Sequence, residues 1–174
     1  MVGTVPQQAS LVDSAESLGL KFFLVSYTDL LGGTRAKLVP AKKIDAVEKE
    51  GAFFASFASN LGLGPEAAEI AVVPDPSSLI VLPWQPDVGW VASDVYFNGE
   101  PFAAAPRMIL NRALERCKQL GYSYKAGVEA EFFLLKATDD GYAIADSKDI
   151  AERPCYDQLN LMRQYDFIST LVTY

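Results

Sequence analysis

Two runs of strand-forming residues lie on either side of a glycine turn early in the chain. Residues 20–28 are rich in Phe, Val, Tyr and Thr, and residues 34–39 alternate basic with apolar side chains. The sequence between them, Asp-Leu-Leu-Gly-Gly at 29–33, is typical of a turn. The pattern therefore predicts a β-hairpin with one face in solvent, and any fold of this chain must accommodate it.

Short strands and few helices are predicted for the rest of the chain, which indicates an α+β fold with a mixed sheet. The longest helix is expected to begin at Pro106 and to stop before Gly121, and Asn98-Gly99 predicts a tight β turn. The last helical pattern reaches Tyr174 without a stop signal, so we expect the chain to be cut there. The predicted strands are 52–55, 69–73, 79–82, 88–96, 122–126 and 128–136, and the predicted helices are 8–18, 40–51, 106–120 and 159–171.

The composition excludes several classes of function. The chain has 174 residues, a formal net charge of −7 and no histidine. The acidic balance and the lack of basic runs argue against nucleic acid as a partner, and the apolar runs are too short to span a membrane, so we expect a cytoplasmic protein. Without histidine, Ser-His-Asp and Cys-His catalysis and His-ligated zinc are excluded, and any chemistry must rest on carboxylates, Lys, Arg or hydroxyls.

A pair of glutamates is the most informative candidate for a site. In residues 127–134, Gly-Val-Glu-Ala-Glu-Phe-Phe-Leu, a strand would place Glu129 and Glu131 on one face, roughly 6.5 to 7 Å apart. Two like charges on one face of an apolar strand are costly to bury unless a cation compensates them, and Mg²⁺ or Mn²⁺ prefers such hard oxygen ligands. The alternative is that both glutamates face solvent at an edge strand.

The same stretch resembles the glutamine synthetase strand in which a Glu-x-Glu pair followed by Phe-Phe-Leu supplies metal ligands. Residues 156–163, Tyr-Asp-Gln-Leu-Asn-Leu-Met-Arg, are similar to the divergent type III-like branch of that family. On these motifs the chain is identified as the N-terminal part of a glutamine synthetase family protein. Further family landmarks occur in the family's order at 29–39, 51–54, 74–76, 83–84, 93–94 and 106–107.

The resemblance implies a domain organisation and an assembly. It implies an N-terminal helix over 1–19, a β-grasp domain over 20–103, and the truncated beginning of the catalytic α/β domain over 104–174. Members of the family resemble stacked homo-oligomeric rings with active sites between subunits. In this segment alone the loop 56–66 is therefore expected to be exposed and mobile, with Phe57 and Leu61 lacking a partner.

The resemblance also implies a chemistry. Glu131 corresponds to the ligand of the metal beside the glutamate and ammonia sites, and Glu129 to the ligand of the metal on the nucleotide phosphates. In such enzymes ATP phosphorylates the γ-carboxylate of glutamate, and ammonia then displaces phosphate from γ-glutamyl phosphate to form glutamine. Because the remaining ligands of the family lie further along its chain, this segment alone is expected to be inactive.

One departure from the family concerns the amine. The family sequence Phe-Asp-Gly-Ser-Ser is replaced by Phe-Ala-Ser-Phe-Ala at 54–58, so Ala55 stands where an aspartate would bind and deprotonate ammonium. A γ-glutamyl ligase that uses methylamine or another amine is therefore an alternative. An alternative of another class is a non-catalytic β-grasp binding or assembly module, in which Glu129 and Glu131 are merely solvated. Reading the gene past Tyr174 would separate the ligase from the module.

Overall fold

The computed structural model describes residues 9–153 and 155–173. The chain divides into two compact units, Met1–Tyr124 and Lys125–Tyr174. Most of the regular structure in the described residues belongs to the first unit, and each unit has its own sheet.

A mixed sheet forms the first unit, and it confirms the α+β class. Five strands run in the order β2-β1-β6-β4-β3, and β5 and β7 also pair with β6. The β1–β6 pair is parallel and every other described pair in this sheet is antiparallel. The strands are β1 (Phe22–Thr28), β2 (Thr34–Pro40), β3 (Ala52–Phe54), β4 (Ile70–Pro74), β5 (Ile80–Leu82), β6 (Gln85–Phe97) and β7 (Glu100–Pro101).

Both predicted hairpins are confirmed. β1 and β2 pair antiparallel, with Phe22 opposite Pro40 and Thr28 opposite Thr34. β6 turns into β7 through Asn98 and Gly99, whose φ angles of 52° and 80° match the left-handed conformation that this dipeptide favours.

The helices of the first unit begin and end at local sequence signals. They are α1 (Leu11–Leu18), α2 (Ile44–Glu50) and α3 (Pro106–Gln119), with 3₁₀ turns at Ala41–Lys43, Ser56–Ala58 and Pro76–Ser78. Ser10 and Asp13 form a capping box at the start of α1, and Gly19 ends it with φ 67°. Pro106 opens α3, and Gly121, with φ 81°, follows its end.

The core lies between the sheet and the helices. Alternate residues of the central strands are buried, as expected for a sheet with one covered face, and α1 and α2 add one fully buried side chain each. The largest fully buried apolar side chains are Leu11, Phe23, Val25, Ile44, Ile70, Val72, Val91 and Val95.

The second unit is small and open. It contains a hairpin of β8 (Leu135–Thr138) and β9 (Gly141–Ile144) and the helices α4 (Gln158–Arg163) and α5 (Tyr165–Thr173). None of its described residues is buried. The predicted turn at 139–141 is confirmed, whereas the single predicted helix over 159–171 is wrong, because the helix is interrupted at Gln164.

The strands predicted over 122–126 and 128–136 are also wrong, apart from the two residues that begin β8. Residues 122–134 have no regular structure. A strand requires a neighbour to satisfy its backbone N–H and C=O groups, and none of the strands described in either unit pairs with this segment.

In the ranges 9–153 and 155–173, no helix has the length and apolar character needed to cross a bilayer.

Candidate functional site

The loop that carries Ala55 has an exposed side and an anchored side. Ala55 and Phe57 are exposed, whereas Ser56 and Ser59 are buried. The Ser56 hydroxyl lies 3.0 Å from the Ala67 carbonyl and 3.2 Å from the Gly64 carbonyl, so it ties the start of the loop to its end. The backbone N–H of Ala58 donates to the Ala55 carbonyl at 3.1 Å, which closes the 3₁₀ turn. Ala55 therefore lies on a turn with a defined backbone.

The expectation that the loop 56–66 is exposed, with Phe57 and Leu61 lacking a partner, is wrong for Leu61. Leu61 is 3% exposed and belongs to the hydrophobic core, whereas Phe57 is 64% exposed as expected. Leu61 turns inward because two contacts hold the residue before it against the β1–β2 turn: Asn60 accepts the Leu30 N–H at 3.2 Å and donates its amide to Asp29 at 3.1 Å. Burial of an apolar side chain then adds to the stability of that arrangement.

Asp29 is a buried carboxylate at the centre of these contacts. Its side chain is 1% exposed. One oxygen accepts the backbone N–H groups of Leu31 and Gly33 at 2.9 and 2.8 Å, and the other accepts Arg35 Nε at 2.8 Å and the Asn60 amide. Hydrogen bonding, above all from the Arg35 guanidinium, lowers the pKa of Asp29 to about 2. The carboxylate is therefore ionised at neutral pH, and it joins the β1–β2 turn to the loop 56–66.

This pKa predicts a specific pH dependence of stability. Because the folded-state pKa of Asp29 lies below its ordinary value of 3.8, the stability it contributes is fully present above about pH 4 and is lost as the pH falls towards about 2. We expect the difference in free energy of unfolding between the wild type and Asp29→Asn to be constant from neutral pH down to about 4 and to shrink below that value. Urea denaturation followed by tryptophan fluorescence measures this, since Trp84 and Trp90 both belong to the first unit. A difference that grows on acidification would contradict the prediction.

Three of the sequence landmarks meet in one ion-pair network. Arg107, at the start of α3, contacts Asp94 of β6 through Nε at 2.9 Å and Asp75 through Nη2 at 2.5 Å. Asn111 donates to the same Asp94 oxygen at 3.2 Å. The network therefore fixes α3 to the sheet.

A cavity of about 310 Å³ lies beside this network, between the sheet and α3. Arg107, the charged residue in its lining, is already paired with two carboxylates, so the cavity offers no free charge to an anion. The Ser93 hydroxyl has no hydrogen-bond partner among the described residues, but it is closed to solvent and therefore also to a ligand. The cavity is accordingly not the candidate site.

Glu129 and Glu131 lie in the second unit, within the irregular segment 122–134. Both side chains are exposed, and neither forms an ion pair or a side-chain hydrogen bond with the residues that the structure describes. Their carboxylates are therefore available to a ligand. Because the segment is not a strand, the argument from strand alternation does not apply to it here.

The two glutamates are the right type of ligand for a divalent metal, but two are too few to hold it. Carboxylate oxygens are the ligands that Mg²⁺ and Mn²⁺ prefer. Among residues 9–153 and 155–173, however, no cluster of three or more His, Cys, Asp or Glu residues could hold an ion. Further ligands would have to come from outside these residues.

Sequence reasoning missed a polar network in the second unit. Asp146 accepts Arg163 Nε at 2.6 Å, and Asn160 donates its amide to Asp149 at 2.6 Å. Arg163 and Asn160 are one turn apart on α4, so this helix is attached to the loop after β9. Asn160 and Asp149 are 11 residues apart in the chain, and Arg163 and Asp146 are 17 apart. A local sequence pattern does not predict such pairs.

Comparisons with known proteins agree on one family. Residues 103–172 match the family model described as glutamine synthetase, catalytic domain. The chain is 48% identical over 160 residues to a glutamine synthetase of Rhizobium leguminosarum bv. phaseoli, covering 92% of this chain and 36% of that protein. It is 34% identical over 154 residues to the glutamate–methylamine ligase of Methyloversatilis universalis, covering 87% and 35%.

The structural similarity is of the same extent. A solved structure of GmaS in complex with ADP superposes with a TM-score of 0.83 at 42% sequence identity, covering 97% of this chain and 38% of that one. The chain thus spans between a third and two fifths of the length of the relatives it matches.

Proposed function

This chain belongs to the glutamine synthetase family, and from that premise we propose that a full-length protein containing it is an ATP- and divalent-metal-dependent ligase. The reaction would form glutamine from glutamate and ammonia through γ-glutamyl phosphate. The observation that carries the proposal is the 48% identity over 92% of the chain to a protein named glutamine synthetase. We further propose that this segment alone is inactive, because it holds only two of the expected metal ligands.

The proposed domain organisation follows the family. We propose an N-terminal helix over 1–19, a β-grasp domain over 20–103 and the beginning of the catalytic domain over 104–174. The first compact unit extends beyond residue 103 to Tyr124 because Arg107 binds α3 to the sheet. A cytoplasmic homo-oligomer with active sites between subunits is the assembly that the family implies.

Glu129 and Glu131 are the proposed metal ligands. Glu131 would hold the ion beside the glutamate and amine sites, and Glu129 the ion on the ATP phosphates. When bound, divalent ions supply charge neutralisation for the transferred phosphoryl group. Support comes from the exposure of both carboxylates and from their place inside the matched range 103–172. The other ligands would come from the remainder of the full-length protein.

Ala55 favours a second candidate, a γ-glutamyl ligase for methylamine or another small amine. A carboxylate at this position would hold an ammonium ion by a charge-assisted hydrogen bond and accept its proton, and the alanine methyl group does neither. Ala55 is also followed by the exposed side chain of Phe57, so the outer side of the loop is apolar. The 34% identity to a glutamate–methylamine ligase supports the same candidate.

The test compares amines in the full-length wild type and in Ala55→Asp. With glutamate and ATP saturating, we expect a weak apparent affinity for ammonium in the wild type. A charge-assisted hydrogen bond contributes about 1.5 to 3 kcal/mol, so Ala55→Asp should raise kcat/KM for ammonium by roughly ten- to a hundredfold. It should lower kcat/KM for methylamine, whose methyl group would meet a hydrated charge. Steady-state phosphate release with ammonium, methylamine and ethylamine provides the measurement.

The control is Ala58→Asp, which adds the same charge three residues away on the exposed side of the loop. An effect of Ala55→Asp that Ala58→Asp reproduces would reflect net charge rather than the amine site. Strong preference of the wild type for ammonium, unchanged by Ala55→Asp, would remove Ala55 from that site. Failure of the full-length wild type to release phosphate with any amine would favour the binding or assembly module.

A further inference from the structure

We propose that Asp29 is a positioning residue for the loop that carries Ala55, and that it thereby sets the affinity for the amine. This inference rests on the proposed function, because it assumes that the exposed side of the loop, which carries Ala55 and Phe57, faces the amine. Asp29 itself is buried and cannot touch a substrate. It would act through Asn60 and the residues attached to it.

The first link joins Asp29 to Asn60. The Asn60 amide donates to Asp29 Oδ2 at 3.1 Å, and the adjacent backbone N–H of Leu30 donates to the Asn60 carbonyl at 3.2 Å. Two neighbouring residues of the β1–β2 turn thus hold the side chain and the backbone of one loop residue. Such a double contact fixes both the place and the orientation of Asn60.

The backbone conformation at this position favours asparagine. The φ angle of Asn60 is 53°, in the left-handed region that asparagine adopts more readily than most residues. The exposed Phe57 precedes it and the buried Leu61 follows it. Asn60 thus lies between the buried Ser59 and the buried Leu61, at the part of the loop that is held against the first unit.

The second link runs from Asn60 back to Ala55. The Tyr27 hydroxyl donates to the Ser59 carbonyl at 3.1 Å, and the Ser59 hydroxyl and N–H both contact the Ser56 carbonyl. Ser56 in turn lies in the 3₁₀ turn that Ala55 begins. A displacement of Asn60 therefore passes through residues 56–59 to the backbone at Ala55.

Arg35 balances the negative charge of the buried Asp29 carboxylate. Its Nε contacts the same Asp29 oxygen as Asn60, at 2.8 Å. A buried carboxylate without a cation would be strongly disfavoured. Arg35 and two backbone N–H groups hold the Asp29 carboxylate in place, and Asn60 donates to it as the fourth partner.

A charge-swap series in the full-length protein tests the inference. Asn60→Asp is isosteric and tolerates the same backbone, but it places a second carboxylate about 3 Å from Asp29, so the contact is replaced by repulsion. We expect KM for the amine to rise by roughly ten- to a hundredfold, with KM for glutamate and for ATP nearly unchanged. In Asp29→Asn with Asn60→Asp, the amide and the carboxylate exchange places, and the amine KM should recover by about tenfold relative to Asn60→Asp alone.

Asp45→Asn is the matched control. Asp45 also forms an ion pair, with Lys49, but it lies on the exposed surface of α2. This substitution should leave all three KM values unchanged. The inference is overturned if Asn60→Asp raises the amine KM and the glutamate KM by the same factor and lowers kcat as well, and if the double variant does not recover. Asp29 would then be a purely structural residue. An inactive wild type would instead overturn the proposed function.

A second readout needs no activity. Hydrogen exchange of the backbone amides of residues 56–61 should accelerate in Asn60→Asp and return towards wild type in the double variant, with the strand β4 unchanged. Unchanged exchange in Asn60→Asp would break the link between Asp29 and the loop, whatever the kinetics show.

Discussion

Replacing Glu131 by Gln in the full-length protein is expected to lower kcat/KM for ligation at least about a hundredfold, since even residues behind metal ligands typically contribute ten- to a hundredfold. The amide keeps the shape of the side chain and removes the charge that a hard cation requires. Glu131 makes no ion pair or side-chain hydrogen bond with the described residues, so its loss should not affect the fold. Phosphate release with saturating amine measures the rate, and Mn²⁺ titration measures the affinity.

Glu129→Gln should cause a similar loss with a different signature. Because Glu129 is proposed to hold the ion on the ATP phosphates, we expect its substitution to raise KM for metal–ATP more than KM for the amine. The matched control is Asp140→Asn, which removes an exposed carboxylate from the turn between β8 and β9. Full activity of either glutamine variant would remove that glutamate from the metal site, and equal losses in Asp140→Asn would indicate a nonspecific charge effect.

Replacing Phe23 by Ala is expected to destabilise the first unit by about 3 to 5 kcal/mol, the usual cost of removing a buried aromatic side chain. Phe23 is 0% exposed and lies on β1, which pairs with β2 on one side and with β6 on the other. The surrounding core cannot collapse easily into the space, because Phe23 packs against the backbone at Gly89. Urea denaturation of the chain, followed by tryptophan fluorescence, gives the free energy of unfolding.

Phe57→Ala provides the comparison, because the same side chain is removed from a residue that is 64% exposed. Its effect should stay within about 0.5 kcal/mol, as for other surface substitutions. A similar loss in both variants would mean that the first unit does not have the core described above.

The sequence was most informative where a structure depends on neighbours in the chain. The hairpin of β1 and β2 follows from alternation on either side of a glycine turn, and α3 follows from Pro106, an apolar stripe and Gly121. These signals act over a few residues, and the structure confirms each of them. The three landmarks at Asp75, Asp94 and Arg107 were also visible in the sequence, although their mutual contact was not.

Features that depend on distant partners were predicted poorly. Alternation over 128–136 predicted a strand, yet a strand forms only beside another, and within the described residues none lies next to 122–134. The family resemblance implied an exposed loop 56–66, yet contacts from Asp29 and Leu30, about 30 residues earlier, turn Leu61 inward. In both cases the deciding hydrogen bonds are invisible to a local pattern.

The central position of β6 has a consequence for how the chain is made. β6 pairs with β1, β4, β5 and β7, and its parallel register with β1 places Phe22 opposite Val88, 66 residues later. Synthesis at about 5 to 20 residues per second delivers that partner roughly 3 to 13 seconds after β1 leaves the ribosome. During this interval the sheet that buries Phe23 and Val25 is incomplete, and the edge of β1 that pairs with β6 is unpaired. The nascent hairpin thus exposes an unpaired strand edge and apolar side chains until β6 has been made.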